Sequence, residues 1–201
     1  MSGLDGAVAG WPLVLRSGPV VLRPLRLRDR RAWRELRETN VDWLRPWEST
    51  APGGGQPLGF GQLVRGNNRL ARMGQAFNLA IEVDGRLAGQ VSLSCIVWGS
   101  LRSGAIGYWI DSGRAGRGIV PVSVALLTDH AVAAMAIHRI EINIRPENAA
   151  SLRVVQKLGF RDEGVRLRYL HIDGAWRDHR TFALTAEELP AGGLITRVGL
   201  R

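Results

Sequence analysis

The chain has 201 residues, enough to bury a core without disulfide or metal staples, and 45% hydrophobic with 22% charged residues is a globular rather than a disordered composition. A lone cysteine, Cys95, excludes an internal disulfide and a cysteine-rich metal site, and fits a reducing compartment. The net charge of +9 is almost wholly arginine, Lys157 being the only lysine; its spread along the chain argues against a dedicated nucleic-acid-binding run, and the denser Arg23–Arg37 cluster suits ribosomal RNA or an acidic surface.

Residues 1–10 lack the basic start and apolar run of a signal peptide. No segment approaches the roughly 20 apolar residues of a membrane helix. A cytoplasmic protein without a membrane partner is therefore expected. Residues 20–25 form a short β-rich run that reads as a first strand ended at Pro24. Asp29 is placed to cap a helix running to about Glu38, with Ala32, Trp33 and Leu36 at helical spacing for one buried face. A short second helix precedes Leu44-Arg45-Pro46-Trp47-Glu48, where Pro46 makes an interruption. Residues 51–56 read as a glycine-rich loop, and Pro57 suits the first turn of a helix reaching about Met73.

Residues 77–83 and 86–97 flank Asp84-Gly85, a two-residue hairpin turn, and residues 105–110 form the fourth strand. Residues 119–135 are an apolar helix and 139–145 a fifth strand. Asn148 or its neighbours open a further helix that Gly159 ends as the residue after the C-cap turn. A last hairpin, 160–172 and 175–184, turns at Asp173-Gly174, and a short helix and loose tail follow Thr185. With no repeat and no long linker, the order is that of one α/β (α+β) domain over residues 1–201, its core about 20–185 between flexible tails.

Between the fourth strand and the apolar helix lies Asp111-Ser112-Gly113-Arg114-Ala115-Gly116-Arg117-Gly118-Ile119-Val120. Gly113, Gly116 and Gly118 let backbone amides turn toward one point, and the helix start adds free N–H groups and a dipole that favour a phosphate. The spacing is neither that of a P-loop nor that of a dinucleotide fingerprint.

The loop resembles motif A of the GNAT acetyltransferases, Gln/Arg-x-x-Gly-x-Gly/Ala, keeping the central Gly118 but with Ala115 first and Val120 last. Asn148-Ala149-Ala150-Ser151 leading to Lys157-Leu158-Gly159-Phe160 resembles the RimJ/RimL branch, which acetylates protein N-termini. The early Leu44–Glu48 run and the late Asp173-Gly174-Ala175-Trp176-Arg177-Asp178-His179 hairpin are similar to that branch as well. The resemblance implies a GNAT fold: a mixed, mostly antiparallel sheet of six to seven strands with about four flanking helices, strands four and five splayed around acetyl-CoA. It implies acetyl-CoA as cosubstrate, no metal, and a protein N-terminus as partner, a ribosomal protein among the candidates. Nucleic acid would enter through the ribosome alone, and either a monomer or a homodimer fits.

Resemblance assigns acetyl-CoA to Ile110, Asp111, Ala115, Gly116, Arg117, Gly118, Ile119, Val120, Asn148 and Ser151, with an N–H near Ile110 on the acetyl carbonyl. Many GNAT enzymes protonate the thiolate with a tyrosine where this chain has Val155, so Ser151 is the substitute, by a hydrogen bond to sulfur. The base is open: Asn143 through a water, Glu141 on the same face of the fifth strand, or Asp111, Glu82 or Glu48. Leu170 stands where RimL-like enzymes carry a glutamate. Trp43, Trp47, Glu48 and Tyr108 are candidates for the acceptor groove, and the four histidines lack a zinc spacing. A small-amine acetyltransferase (polyamine, aminoglycoside or amino-acid-like toxin) and a non-catalytic acyl-CoA-binding module are the alternatives.

Overall fold

The computed structural model describes residues 10–55 and 58–198. The expected turn at Pro57 lies outside the described residues. In chain order the strands are β1 (Leu15–Ser17), β2 (Val20–Pro24), β3 (Phe77–Val83), β4 (Arg86–Val97), β5 (Ser103–Ile110), β6 (Arg139–Ile144), β7 (Arg161–Ile172) and β8 (Ala175–Thr185). The helices are α1 (Arg30–Thr39), α2 (Val41–Leu44), α3 (Phe60–Arg72), α4 (Ile119–Ala133), α5 (Ala149–Leu158) and α6 (Ile195–Val198). β1 brings the sheet to eight strands, one beyond the expected range, because three residues suffice to pair Leu15 with Leu22 and Ser17 with Val20.

The strands lie in the order β1-β2-β3-β4-β5-β6-β8-β7. Every neighbouring pair is antiparallel except β5 and β6. Asp84-Gly85 and Asp173-Gly174 both take positive φ, 51° and 76° in the first and 46° and 80° in the second, as a tight hairpin turn whose twist matches the strands requires. The parallel pair holds over only Ser103–Ala105 against Arg139–Glu141. Beyond it β5 follows β4 out to Ile110, while β6 follows β8 out to Ile144. A gap therefore opens in the middle of the sheet.

The strand alternation sorts side chains to two faces. Leu79, Ile81, Val91 and Ile110 pack with α4, and Ala80 packs with Leu25, Val64, Trp33 and Phe60 under α1 and α3. α4 is apolar nearly all round because it is buried nearly all round: Val122, Val124, Ala125, Leu127 and Ala131 have no exposed surface. Each such valine or leucine contributes about 1.5–3 kcal/mol of burial. Its third residue is Pro121, a position whose N–H has no partner within the helix. Gly89 on β4 has a different constraint: a Cβ there would collide with the Trp109 carbonyl oxygen of β5.

Two expectations change. Ala32 is exposed, and α1 buries Trp33 and Leu36 only in part: Trp33 packs on Phe60 and Trp109, while no residue of the helix is fully buried. The tail after Thr185 is docked through Val198: Leu194 has no exposed surface, Asp129 accepts hydrogen bonds from the Leu194 and Ile195 amides (2.7 and 3.0 Å), and Arg197 donates to the Leu158 carbonyl (2.6 Å).

Asp29 also differs from its expected capping role. It precedes α1 but makes no side-chain cap bond to it; its carboxylate accepts from the Arg26 amide (2.7 Å) and from the buried Arg23 guanidinium (2.7 and 3.1 Å), which also reaches Glu82 at 2.7 Å. Burial opposes the charge on Asp29, but Arg23 and the Arg26 amide more than offset it and hold the carboxyl below its ordinary value. A lowered carboxyl stabilises the fold above its unfolded pKa, about 3.9, and that part is lost as pH falls through the folded value. Asp29→Ala should cost about 3 kcal/mol, the lower end for breaking a buried pair because Glu82 remains. Urea denaturation at pH 7 measures it; a loss below about 0.5 kcal/mol, typical of a surface change, rules out the buried-pair reading.

Candidate active site

The parting of β5 and β6 leaves peptide groups of β5 without a neighbouring strand. The Asp111 amide donates to the Ala88 carbonyl at 2.7 Å, toward β4. By alternation the N–H and C=O of Ile110 point the other way, into the gap. The C=O is taken by the Trp43 indole N–H at 3.1 Å, and the N–H faces the opening while the Ile110 side chain stays in the core.

Past Ile110 the chain turns at residues 112–114 and enters the glycine loop. Asn40 (1% exposed) anchors that turn: its side-chain amide donates to Asp111 (2.9 Å) and to the Leu36 carbonyl (2.9 Å), and its oxygen accepts from the Ser112 amide (2.8 Å). Gly116 and Gly118 have φ of 76° and 77°, whereas Gly113 does not enter the positive region. Gly118 is the N-cap of α4. Among the described residues, no backbone carbonyl accepts from the amides of residues 116–120. Free amides at a helix start form an anion cradle.

A cavity of about 460 Å³ runs from this cradle along the gap to α5. Ile110, Ala115, Gly116, Gly118, Ile119 and Val120 line it, with Trp43, Asn148 and Ser151. Three cations also face it: Arg114, and Arg153 and Lys157 one turn apart on α5. The last two were not singled out from the sequence, although their i,i+4 spacing after Asn148 puts them on one helix face. Arg117 and Asp111 do not line this cavity; Arg117 is exposed, and Asp111 is held by Asn40 and lies 4.0 Å from Arg114.

A second cavity of about 370 Å³ opens on the other side of the gap. Trp47, Glu48, Tyr108, Asn143, Arg145, Leu170 and His179 are among its lining residues. The two cavities share Leu44, Trp47, Tyr108, Trp109, Asn148 and Ser151, so they meet at the start of α5. Asn148 caps that helix by accepting from the Ser151 amide at 3.0 Å. Tyr108 donates to the Ser151 carbonyl at 3.4 Å, and burial pushes its phenol well above the ordinary value of 10. Ser151 sits at the junction.

The base candidates separate. Asn143 lines the second cavity and accepts from the Thr181 hydroxyl at 2.8 Å. Glu48 lines it too, gripped by Arg37 at 2.6 Å through both oxygens. Glu141 reaches neither cavity, contrary to expectation. It sits at the closed end of the β5–β6 pair, bonded to Arg139 and Arg166 at 2.9 Å each. Glu82 belongs to Arg23. His179 belongs to β8. It is 3% exposed and faces the second cavity, with Nδ1 3.0 Å from the Arg177 carbonyl; burial, helped by nearby Arg145, holds its pKa below 6.5.

Residues 20–161 match the domain family described as "Acetyltransferase (GNAT) domain". The chain belongs to this family. The GNAT sheet is accordingly the scaffold of the gap, and relatives bear it out. A solved structure named "Mycobacterium smegmatis RimJ in complex with CoA-disulfide" is 40% identical and superposes with a TM-score of 0.85, covering 93% of each chain. The [Ribosomal protein uS5]-alanine N-acetyltransferase of Escherichia coli (strain K12) is 31% identical over 169 residues, 82% of this chain and 87% of that one. A Bacillus subtilis (strain 168) protein named "Probable N-acetyltransferase YjcK" is 39% identical over 108 residues, and there the match spans 60% of its length.

If the glycine loop and the α5 cations hold a pyrophosphate, two sets of GNAT-site variants separate backbone from charge. Gly118→Leu forces a side chain into the left-handed region at a cost of about 1–3 kcal/mol and should raise KM for acetyl-CoA by about tenfold or more. Arg153→Glu with Lys157→Glu should weaken acetyl-CoA by about tenfold through lost charge-assisted bonds, yet leave acetyl-pantetheine unchanged. Equal losses for both thioesters in a calorimetric titration would place the phosphates elsewhere.

Proposed function

We propose that this protein transfers the acetyl group of acetyl-CoA to the α-amine of a protein N-terminus, by direct attack in a ternary complex. One observation carries the reading: a cavity with an anion cradle at its far end meets a separate, solvent-open cleft at Ser151. Two substrates entering from opposite sides of a parted sheet would meet there, which replaces a collision in solution by an oriented encounter. The chemistry of the acetyl-CoA cavity fits the cosubstrate along its length. Free amides and Arg114, Arg153 and Lys157 suit the phosphates, and the inward Ile110 N–H suits the thioester oxygen as charge develops on it.

The residues then take the following roles. Ser151 hydrogen-bonds the departing sulfur from the junction, since Val155 is fully buried in the core and carries no acidic proton. Asn148 holds the start of α5 and so fixes where that hydroxyl stands. Trp47, with Arg145 stacked over its ring at 5.5 Å, and the Arg37–Glu48 pair form the mouth through which an extended N-terminal segment enters. An α-amine, with pKa near 7.7–8.0, is partly neutral at cellular pH, which suits a cleft without a free carboxylate better than a lysine ε-amine does. The uS5-alanine specificity of the Escherichia coli relative supports a ribosomal protein beginning with alanine as acceptor.

CoA release from acetyl-CoA, measured with peptides starting with alanine or serine beside polyamines and an aminoglycoside, tests the acceptor class; turnover confined to small amines sinks the N-terminal reading. Ser151→Ala should lower kcat by about tenfold to a hundredfold, the lower part of the range for proton-transfer groups, with KM for acetyl-CoA nearly unchanged. Full activity in that variant would reduce Ser151 to a helix-start residue.

A further inference from the structure

The acceptor cleft contains five ionisable side chains among the described residues: Arg37, Glu48, Tyr108, Arg145 and His179. Four of them are poor proton acceptors. Arg37 and Arg145 are permanent cations. Tyr108 is a neutral phenol whose proton points to the Ser151 carbonyl. Glu48 has both oxygens in contact with Arg37. His179 remains, and its surroundings select one tautomer. Nδ1 lies 3.0 Å from the Arg177 carbonyl, which can only accept, so Nδ1 carries the proton and the Nε2 lone pair is free.

The geometry points to His179 as the general base that takes the proton from the attacking amine, directly or through one water. As the amine nitrogen bonds to the acetyl carbon its N–H becomes strongly acidic. One proton passes to Nε2, the carbon–sulfur bond breaks, and the thiolate leaves with a proton drawn through Ser151 from solvent. The imidazolium then returns its proton to solvent, so the sum is amine and thioester in, amide and thiol out. β8 places the residue for this task. Arg177, His179 and Thr181 alternate on one face, and the Thr181 hydroxyl bonds Asn143 of β6 beside the same cleft. Leu170 of β7 lines the cleft as well, so a neighbouring strand supplies the proton acceptor that β7 lacks there.

Each element around His179 bears on its charge. Arg145, beyond the end of β6, disfavours the imidazolium, while Glu147 after it and Asp178 on β8 favour it weakly. The Tyr169 ring of β7 packs edge-on at 5.7 Å, and the Arg37–Glu48 pair lies across the cleft with no net charge. Burial is the largest of these influences and lowers the pKa of His179 from the ordinary histidine value, favouring the neutral ring.

The inference rests on the second cavity being the acceptor site, and its test separates the two. In the 15N-histidine-labelled wild-type protein, long-range 15N–1H correlation should show His179, assigned by its loss in H179Q, with Nδ1 protonated and Nε2 bare, titrating below 6.5. A proton on Nε2 at pH 7 overturns the assignment whatever the acceptor. With an alanine-initiated peptide, log kcat/KM should fall with slope one below the amine pKa and slope two below that of His179. H179Q should keep its acetyl-CoA affinity, lose about a hundredfold in kcat, and retain slope one throughout. Activity within about threefold of wild type, with the second limb intact, overturns the proposal, since general-base loss is worth far more. Should H179Q fail to fold, the wild-type tautomer and titration decide. If wild type binds acetyl-CoA but acetylates no peptide, the N-terminal acceptor fails while the tautomer result still stands or falls by itself.

Discussion

The loss of pairing between β5 and β6 after three residues is the constraint on which the rest of the structure depends. An unpaired strand edge inside a sheet carries polar groups that need partners. Here the Ile110 carbonyl is met by the Trp43 indole, which ties α2 to the gap, and the Ile110 N–H faces the opening. The same parting makes room for α5 to begin at the opening, where Asn148 and Ser151 touch both cavities. Gly89 guards the geometry from the other side, since any side chain there would push on Trp109 and displace the end of β5. Sheet, loop and helix thus converge on one junction.

Charge is divided along this junction in a way that net charge conceals. Many of the arginines are structural: Arg23 is buried with Asp29 and Glu82, and Arg139 binds Glu141 and Glu163 to hold the closed end of the gap. The Glu163 carboxyl is held at about 2 by Arg139 and Arg161. Arg114, Arg153 and Lys157 instead face the cavity that the glycine loop and α5 line. On the other side of the junction Arg37 is paired with Glu48, Arg145 lies over the Trp47 ring, and the buried His179 imidazole lines the same cleft. Cations and free amides thus gather at one end of the junction, and an imidazole stands at the other.

Periodicity and turn chemistry carried most of the fold. The Asp-Gly turns, the Gly159 helix end, the long apolar helix and the hairpin strands are local features, decided by residues within a few positions of each other. β1 was missed because three residues give no periodicity, and the docked tail because Leu194 and Val198 owe their burial to α4 and α5 rather than to neighbours in the chain. Ala32 was misjudged for the converse reason: helical spacing marks a face but does not say whether another element covers it.

Of the site, the glycine loop and the start of α5 were legible in the sequence. Glycines before a helix expose amides wherever the chain is placed, and Gly116, Gly118, Asn148 and Ser151 could be named from local pattern and resemblance. At the other cavity Trp47, Glu48, Tyr108 and Asn143 could be named from the sequence, but which further polar groups reach it was decided by tertiary structure. Glu141, Asn143 and Arg145 share one strand face, yet the closed end of the sheet spends Glu141 on Arg139 and Arg166 while the open end brings Asn143 and Arg145 to the cleft. His179, 36 positions beyond Asn143, comes to the same cleft because β8 pairs with β6. Which proton it holds depends on a carbonyl that only strand geometry aims at Nδ1. Long-range pairing, not residue type, made it a candidate base.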